Sequence, residues 1–156
     1  MDFMFLGLIA EQFRTKITLQ RILEYADVAG WKEDEAGIRY IDLKDSKPAL
    51  QYLDDLSEVF GPSFLRQVSI ELIEVQGQIK PHLHRNSDSV VIVFVPDSGH
   101  HPCAYFHDSI WFEMNDLQTV VIPRNVMHGF ARFKSAPFYL IAVSNPPIEE
   151  SDVIYV

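Results

Sequence analysis

The chain has 156 residues, of which 47% are hydrophobic and 22% are charged, and its formal net charge at pH 7 is -9. This length suits one domain with one core, and the composition is typical of a globular protein. Phosphate backbones and anionic lipid surfaces are disfavoured as partners, because no run of lysine or arginine offsets the negative charge. We therefore expect a single domain that binds neither nucleic acid nor a membrane.

Cys103 is the only cysteine in the chain. No disulfide can form within the chain, so the sequence suits a reducing compartment. The first ten residues are mostly apolar, but they carry Asp2, lack a basic flank and are followed by Glu11. This pattern fits neither a signal peptide nor a membrane span. By elimination, we expect a cytoplasmic protein.

Apolar residues recur every three to five positions from Leu8 to Ala26, and charged residues fall mostly between them. This spacing predicts one amphipathic helix, and Gly30 ends the segment. Its apolar face could cover one side of a sheet or form a contact between two copies, and we expect a homodimer. An acidic turn follows, and the alternation in residues 38–43 predicts a short edge strand.

A second helix is predicted between Ser46 and Phe60. Ser46 is placed as its N-cap, Pro48 lies in its first turn, and Gly61 and Pro62 end it. Its apolar stripe consists of Leu50, Leu53, Leu56 and Phe60. We expect residues 1–62 to form a helical extension that packs on the outside of the rest of the domain.

Beyond residue 62 the sequence changes to short β-type segments separated by turns. The predicted strands cover residues 64–75, 90–95, 104–106, 110–114, 119–122, 130–133 and 138–143, and the tail is expected to be either an ordered surface arm or a short extra strand at 153–156. Many short strands at close spacing predict a sandwich or barrel. We place it at residues 63–146, followed by a C-terminal arm at residues 147–156.

Three histidines could form a metal site. His82 and His84 are two residues apart, and on a β-strand this spacing turns both imidazoles to one face, about 6 to 7 Å apart. His128 follows a Pro-x-Asn turn at the end of an apolar run, so a neighbouring strand could deliver it to the same point. Three neutral imidazole nitrogens are a common ligand set for divalent zinc, iron, copper or nickel.

The stretches around these histidines resemble the paired motifs of the cupin superfamily. The pattern has a glycine, a His-x-His pair, a later proline and a last histidine, and these positions hold Gly77, His82, His84, Pro123 and His128. The resemblance covers roughly residues 64–146. It implies a small cupin-type β-barrel, a double-stranded β-helix, preceded by the two helices. It also implies a divalent metal ion held by the three histidines.

The motifs depart from the cupin pattern at several positions. Ser89, or Asp88 in the other register, stands where the pattern has a glutamate ligand, so Asp88 is an alternative fourth ligand. Leu117 and Asn125 replace two glycines of the second motif, and Arg132 replaces its asparagine. Asparagine enters left-handed backbone conformations at modest cost, so Asn125 is the easiest of these replacements to accommodate.

Without the glutamate, three imidazoles leave the charge of a divalent ion uncompensated and leave positions open for water, dioxygen or an anionic molecule. The resemblance then implies a non-haem iron(II) dioxygenase acting on a small anionic molecule, as three-histidine dioxygenases of this superfamily are. Zinc, nickel or manganese are alternatives to iron. A non-catalytic binding or sensor module and a metal-dependent isomerase remain open as other functions.

Arg132 is a candidate substrate residue. If the strand through His128 continues, Arg132 shares its face and turns a guanidinium toward the cavity. There it could hold a carboxylate in two-point contact or pair with an acidic side chain such as Glu71 or Glu113. A bulge after His128 would instead leave Arg132 in solvent.

The remaining polar and aromatic side chains are interpreted more simply. Three aromatic residues are expected mainly in the core, namely Tyr105, Trp111 and Phe112, and Tyr105 is also a second candidate substrate residue. A polar cluster predicts an exposed loop near the barrel mouth and consists of His100, His101 and Cys103, with His107 beyond. A zinc site is not expected there, because zinc sites built from cysteine normally use paired cysteines.

Overall fold

The computed structural model describes residues 3–61, 63–96, 103–132 and 137–155. Its helices are α1 (Phe3–Thr15), α2 (Leu19–Ala29), α3 (Lys47–Leu50) and α4 (Asp54–Phe60). Short 3₁₀ segments lie at Leu43–Asp45, Gln51–Leu53, Phe64–Gln67 and Glu150–Asp152. No helix among the described residues is long and apolar enough to span a membrane.

Antiparallel strands make up most of the rest of the chain. They are β1 (Lys32–Glu33), β2 (Arg39–Asp42), β3 (Ser69–Val75), β4 (Gln78–His84), β5 (Asp88–Phe94), β6 (Cys103–His107), β7 (Ile110–Met114), β8 (Thr119–Ile122), β9 (His128–Ala131), β10 (Phe138–Asn145) and β11 (Val153–Tyr155). One sheet has the order β1-β2-β3-β10-β5-β8, and the other has the order β11-β4-β9-β6-β7.

The core has two layers, one on each face of the six-stranded sheet. Inside the barrel, Val93 and Leu140 pack with Phe130 of the other sheet. On the outside, Leu72 and Ile141 pack under the helices. Strand β5 is buried along its whole length because it is covered on both faces, which explains its continuous apolar sequence. This architecture confirms the predicted mainly β barrel with helices packed on its outside.

The predicted strands are found with shifted ends. The segment predicted at 64–75 begins at Ser69, because Phe64–Gln67 forms a 3₁₀ turn. The strand predicted at 130–133 begins earlier, at His128. The tail forms β11, which pairs antiparallel with β4.

The first predicted helix is wrong in its extent, because the chain forms two helices with a break at residues 16–18. The hydroxyl of Thr18 accepts a hydrogen bond from the backbone N–H of Arg21 at 3.3 Å and thereby caps α2. Ile17 also packs against the core, so the apolar spacing continues through the break. Periodicity alone therefore does not reveal where one helix ends and the next begins.

The apolar face of α1 lies against the chain's own barrel. Leu6, Ile9 and Phe13 are fully buried, and α1 contacts β5 and β10. This is the first of the two roles expected for the helix. Because the contact between copies was expected from this same face, the homodimer stays a prediction without support from α1.

The second predicted helix is divided as well. A 3₁₀ segment separates α3 from α4, and Gly61, at a φ of 91°, ends α4. Ser46 precedes α3 with extended backbone, but its hydroxyl makes no capping hydrogen bond. The predicted boundaries are therefore close to those observed, while the predicted N-cap contact is wrong.

Two of the three aromatic residues expected in the core are at the surface. Trp111 and Phe112 are 51% and 48% exposed. Strand β7 is an edge strand of its sheet, so one of its sides has no neighbouring strand. Tyr105 is buried, at 4% exposure, as expected.

Strands β4 and β9 approach each other unusually closely. Their register shifts between Ile79 and His82, and after the shift His82 lies opposite His128. A Cβ atom at Gly129 would lie 2.8 Å from the carbonyl oxygen of Ile79. Only glycine permits this approach, which places two of the candidate ligands side by side.

The turn that leads into β9 is tied to two other strands. Asn125 has a φ of 65°, as its predicted left-handed conformation requires, and its backbone N–H donates to the carbonyl oxygen of His84 at 2.7 Å. The carboxylate of Asp88 accepts from the backbone N–H of Arg124 at 2.8 Å and from its Nη2 at 2.9 Å. The alternative in which Asp88 is a metal ligand is therefore wrong, because its carboxylate holds this turn.

Replacing Gly129 by alanine should lower the free energy of unfolding by about 1–3 kcal/mol, because the added methyl group would push the two backbones apart. The matched control is Gly7→Ala in α1, where no atom lies within 4 Å of the added Cβ. That substitution should leave stability unchanged or raise it by up to about 1 kcal/mol. Urea denaturation measures both, and equal stability of the two variants would contradict the close approach.

Asp88→Asn should lower the free energy of unfolding at neutral pH by on the order of 1 kcal/mol, because the side chain of Arg124 is 47% exposed and solvent screens the pair. Burial alone would raise the pKa of Asp88, but the hydrogen bonds from Arg124 outweigh it and hold the pKa below its usual value. The stabilisation is therefore present above the ordinary carboxyl pKa and is lost as the pH falls through the lowered value.

Urea denaturation from neutral pH to about pH 3 follows this loss. The control is Asp108→Asn in an exposed turn, at a φ of 47° that asparagine tolerates. It should change stability little at any pH. If Asp88→Asn lowers the free energy of unfolding by the same amount at every pH, the charge of Asp88 is not what stabilises the turn.

Candidate metal site

The structure brings together the three histidines that the sequence singles out. His82 and His84 lie on one face of β4, and His128 begins β9 opposite His82. One nitrogen from each imidazole lies within 4.8 Å of the others. All three side chains are buried, with exposures of 4% to 8%.

Backbone carbonyls orient two of the three imidazoles. Nδ1 of His82 lies 2.8 Å from the carbonyl oxygen of Lys80, and Nδ1 of His128 lies 3.0 Å from that of Val126. A carbonyl oxygen can only accept, so both Nδ1 atoms carry the proton and both Nε2 atoms keep a free lone pair. This is the arrangement by which proteins fix the tautomer of metal-binding histidines.

His84 is different. Its Nδ1 atom is buried and has no hydrogen-bond partner among the described residues. A buried nitrogen without a partner costs free energy, so a histidine in this position needs something else to bind. A metal ion held within the cluster would meet this need if Nδ1 is the nitrogen of His84 that faces the ion.

The electrostatics of the site favour neutral imidazoles. Burial lowers the pKa of His82. Burial, together with the neighbouring histidines, lowers the pKa of His84 to about 4 and that of His128 to about 3. All three lone pairs are therefore available at neutral pH, and the residues fit a divalent ion of the kind that prefers nitrogen ligands.

The histidines line one wall of a cavity of about 230 Å³ inside the barrel. Much of the lining is apolar and includes Ile38, Ile73, Ile79, Val91, Ile122, Phe130 and Leu140. Tyr155, which is 55% exposed and lies 5.4 Å from His82 between ring centroids, marks the side that opens to solvent. The size and lining suit a small organic molecule.

Ser89 is the residue that the sequence aligns with the glutamate of the cupin pattern. It lines the cavity, and its hydroxyl lies 2.6 Å from that of Ser144. Asp88, the residue of the other register, is not part of the described lining. A serine at this point leaves the three histidines without a carboxylate ligand among the described residues.

Glu71 is a cavity residue that the sequence singled out only as a partner for Arg132. It lies on β3, on the wall formed by the six-stranded sheet. Burial, and then the neighbouring carboxylate of Asp42, raise the pKa of Glu71 to about 7, while Lys32 acts in the opposite direction. The alternation of β3 carried the signal, because Ile70 and Leu72 face the helices and so turn Glu71 inward.

Arg132 lies outside the described lining of the cavity. It is 3% exposed, and its guanidinium donates to the carbonyl oxygens of Pro137 at 3.3 Å and of Pro96 at 2.6 Å. Strand β9 ends at Ala131, so the alternation that predicted a cavity-facing Arg132 stops one residue too early. The predicted contact between Arg132 and a substrate therefore finds no support in the geometry.

Tyr105 stands behind the cavity wall. Its ring centroid lies 5.1 Å from that of Phe130, which lines the cavity, and its hydroxyl lies 2.7 Å from Nδ1 of His107. Burial raises the pKa of Tyr105 to about 12, so the hydroxyl stays protonated in its hydrogen bond with His107. Tyr105 thus supports Phe130, and a direct contact with substrate stays a prediction.

The predicted polar loop is only partly described. His100 and His101 lie outside the described residues. Cys103 is 1% exposed and begins strand β6, so the expectation that it lies in an exposed loop is wrong. Burial raises the pKa of Cys103 to about 11, which leaves an unreactive thiol.

No known protein-family model matches the chain, and no curated protein sequence matches it. Solved structures do match. Pac13 from Streptomyces, a nucleoside dehydratase, has been solved in variants with uridine. One of these has a TM-score of 0.53 at 11% identity, over 81% of this chain and 83% of that chain.

Two further structures show the same likeness. KdgF from Halomonas has a TM-score of 0.52 at 13% identity, over 78% of this chain and 89% of its own. The cupin domain of Cnp3 from Schizosaccharomyces pombe has a TM-score of 0.51 at 7% identity, over 75% of this chain and 68% of its own. At these identities the likeness shows the fold alone. The chain has the cupin fold, with three histidines clustered inside its barrel.

Proposed function

We propose that the chain is a metal-dependent cupin enzyme in which His82, His84 and His128 hold one divalent ion. The observation that carries the proposal is that one nitrogen from each of three buried imidazoles converges on the same point, while the Nε2 lone pairs of His82 and His128 are free. The three nitrogens are close enough to share one ion. A site that served only to pack the core would not need three converging lone pairs.

Within this class, we propose a non-haem iron(II) dioxygenase that acts on a small anionic molecule. Three neutral imidazoles compensate none of the charge of a divalent ion, and Ser89 replaces the carboxylate that would do so. Iron(II) in such a site supplies redox chemistry and open positions for an anion and for dioxygen.

The chain's own residues would bind the organic part of that molecule. Val91, Phe130 and Leu140 give the cavity an apolar lining that would exclude water and strengthen the attraction between an anion and a divalent ion held by the histidines. Tyr155, which is half exposed, lies at the opening of the cavity. A cytoplasmic location and a homodimer belong to the same proposal, and cell fractionation and light scattering would test them.

Replacing His82, His84 or His128 by alanine should each abolish stoichiometric metal. Loss of one of three protein ligands should reduce affinity by more than the roughly 10- to 100-fold that follows loss of a supporting group. The matched control is His107→Ala, because His107 lies opposite His128 but bonds to Tyr105. Elemental analysis measures the metal content of each variant. One metal ion per chain in any two of the three histidine variants would contradict the proposed ligand set.

The identity of the metal separates the proposed functions. Protein purified without chelators should contain iron at close to one ion per chain, and chelation should remove it. Zinc at full occupancy, with no iron binding on reconstitution, would contradict the dioxygenase. A chain that holds no metal would instead favour a module that binds a small molecule without turning it over.

A further inference from the structure

Glu71 faces the histidines from the other wall of the same cavity. It lies on β3 in the six-stranded sheet, while the histidines lie on β4 and β9 in the five-stranded sheet. Its neighbour on β10 is Ala142, and Ser89 lies on the next strand, so small side chains border the cavity on this side. Glu71 does not belong to the cluster of ligand nitrogens, so it is placed to meet a molecule in the cavity and not the ion.

The carboxyl group of Glu71 makes no hydrogen bond and no ion pair with any other described residue. Directly opposite it on β2 is another acid, Asp42, whose carboxylate accepts from the backbone N–H groups of Lys44 and Ile70. Two carboxyl groups side by side in a partly dry site repel each other when both are ionised. Because Asp42 has hydrogen-bond donors, Glu71 is the one that holds a proton more readily.

The groups that face Glu71 come from every element around it. On β10, the neighbours Ala142 and Ser144 carry no charge. The titratable or charged groups on the other elements are Lys32 on β1, Tyr40 and Asp42 on β2, Asp34 in the turn after β1, and His82, His84, His128 and Tyr155 across the cavity. Lys32 is exposed, so water screens its attraction for Glu71.

We propose that Glu71 is the acid–base residue of the site and exchanges a proton with the molecule bound between it and the three histidines. This inference rests on the proposed function, because it gives a role to a residue on the wall of the same cavity that faces the histidines. When the bound molecule gains a proton, the O–H bond of the carboxyl breaks and a carboxylate remains. When the molecule loses a proton, the carboxylate takes it up, and no electron is transferred in either direction.

An acid–base role accounts for a carboxyl group in this position. A partly buried acid without a dedicated partner destabilises the fold when it is ionised, and an amide of the same shape would avoid that cost. Groups whose pKa is shifted toward neutral pH are best suited to proton exchange. The burial and the neighbouring Asp42 that raise the pKa of Glu71 to about 7 produce this condition.

The first test needs neither metal nor ligand. In chelated protein with ¹³C-labelled glutamate, one carboxyl signal should titrate near neutral pH, and that signal should be missing in Glu71→Gln. The control is Glu113→Gln on the exposed strand β7, which should keep the signal that titrates near neutral pH. If the signal lost in Glu71→Gln titrates near the ordinary pKa of a glutamate carboxyl, about 4.3, the proposal is overturned.

The two variants should also differ in how their stability changes with pH. The folded pKa of Glu71 lies above its unfolded value of 4.5, so the wild type loses stability relative to Glu71→Gln as the pH rises from about 4.5 to about 7. The Tm of Glu71→Gln should therefore rise relative to wild type over this range, while Glu113→Gln should follow the wild type. A constant Tm difference would contradict the burial of an exchanging carboxyl.

The second test asks whether Glu71 meets the bound molecule, with acetate as the probe in metal-loaded protein. Acetate repels the ionised carboxylate, so its binding should be accompanied by proton uptake, measured by calorimetry in two buffers of different ionisation enthalpy. Above the midpoint, affinity should fall by up to about tenfold per pH unit in the wild type. Glu71→Gln should lose the uptake and keep its affinity, and Glu113→Gln should retain both behaviours.

The outcomes separate the two proposals. If the wild type holds no metal but its Glu71 signal titrates near neutral pH, the proposed metal-dependent function is contradicted, while the raised pKa of Glu71 is supported. If metal binds but Glu71→Gln shows the same proton uptake as the wild type, the proposed role of Glu71 is contradicted, while the proposed metal site is supported.

Discussion

The candidate site depends on the contact between the backbones of β4 and β9 at Gly129. A side chain there would collide with the carbonyl oxygen of Ile79, at 2.8 Å from the would-be Cβ. Because the collision is avoided, the register shift in β4 can place His82 directly opposite His128. The turn before β9 adds a second constraint, since the backbone of Asn125 is bonded to His84 and Asp88 holds Arg124. Three imidazoles converge because backbone contacts leave them little freedom to do otherwise.

Burial then gives the converged imidazoles their chemical character. Removal from water lowers their pKa values, so they are neutral ligands and not mutually repelling cations. The same burial acts in the opposite sense on an acid and keeps a proton on Glu71 more readily. One partly dry cavity therefore holds imidazoles that stay neutral on one wall and a carboxyl group that keeps its proton to a higher pH on the other. The carboxyl group of Glu71 therefore lines the cavity on the wall across from the three histidines.

Several features of the fold and the site follow from local patterns in the sequence. The two-residue spacing of His82 and His84 fixes their common face once they lie on a strand, and asparagine tolerates the left-handed conformation seen at Asn125. The alternation in β3 and the unbroken apolar run of β5 reflect burial on one or two faces. Such signals arise within a few residues, so they can be recognised without knowledge of the rest of the chain.

Other features depend on which elements become neighbours, and they were missed. The exposure of Trp111 and Phe112 follows from the edge position of β7, which composition does not reveal. Arg132 turns to the carbonyl oxygens of Pro96 and Pro137 because β9 ends one residue before it. The importance of Glu71 appears only once Asp42 is known to lie beside it and the helices are known to cover the other face of β3.

The most direct test of the central claim is a crystal structure of the protein loaded with zinc, with anomalous diffraction collected at the zinc edge. The convergence of the imidazoles predicts one anomalous peak in the barrel cavity, about 2.0–2.1 Å from one nitrogen each of His82, His84 and His128. Its ligand from His84 would show which nitrogen of that imidazole faces the ion. A cavity without a peak, or zinc bound only by other side chains, would contradict the claim that these three histidines form a metal site.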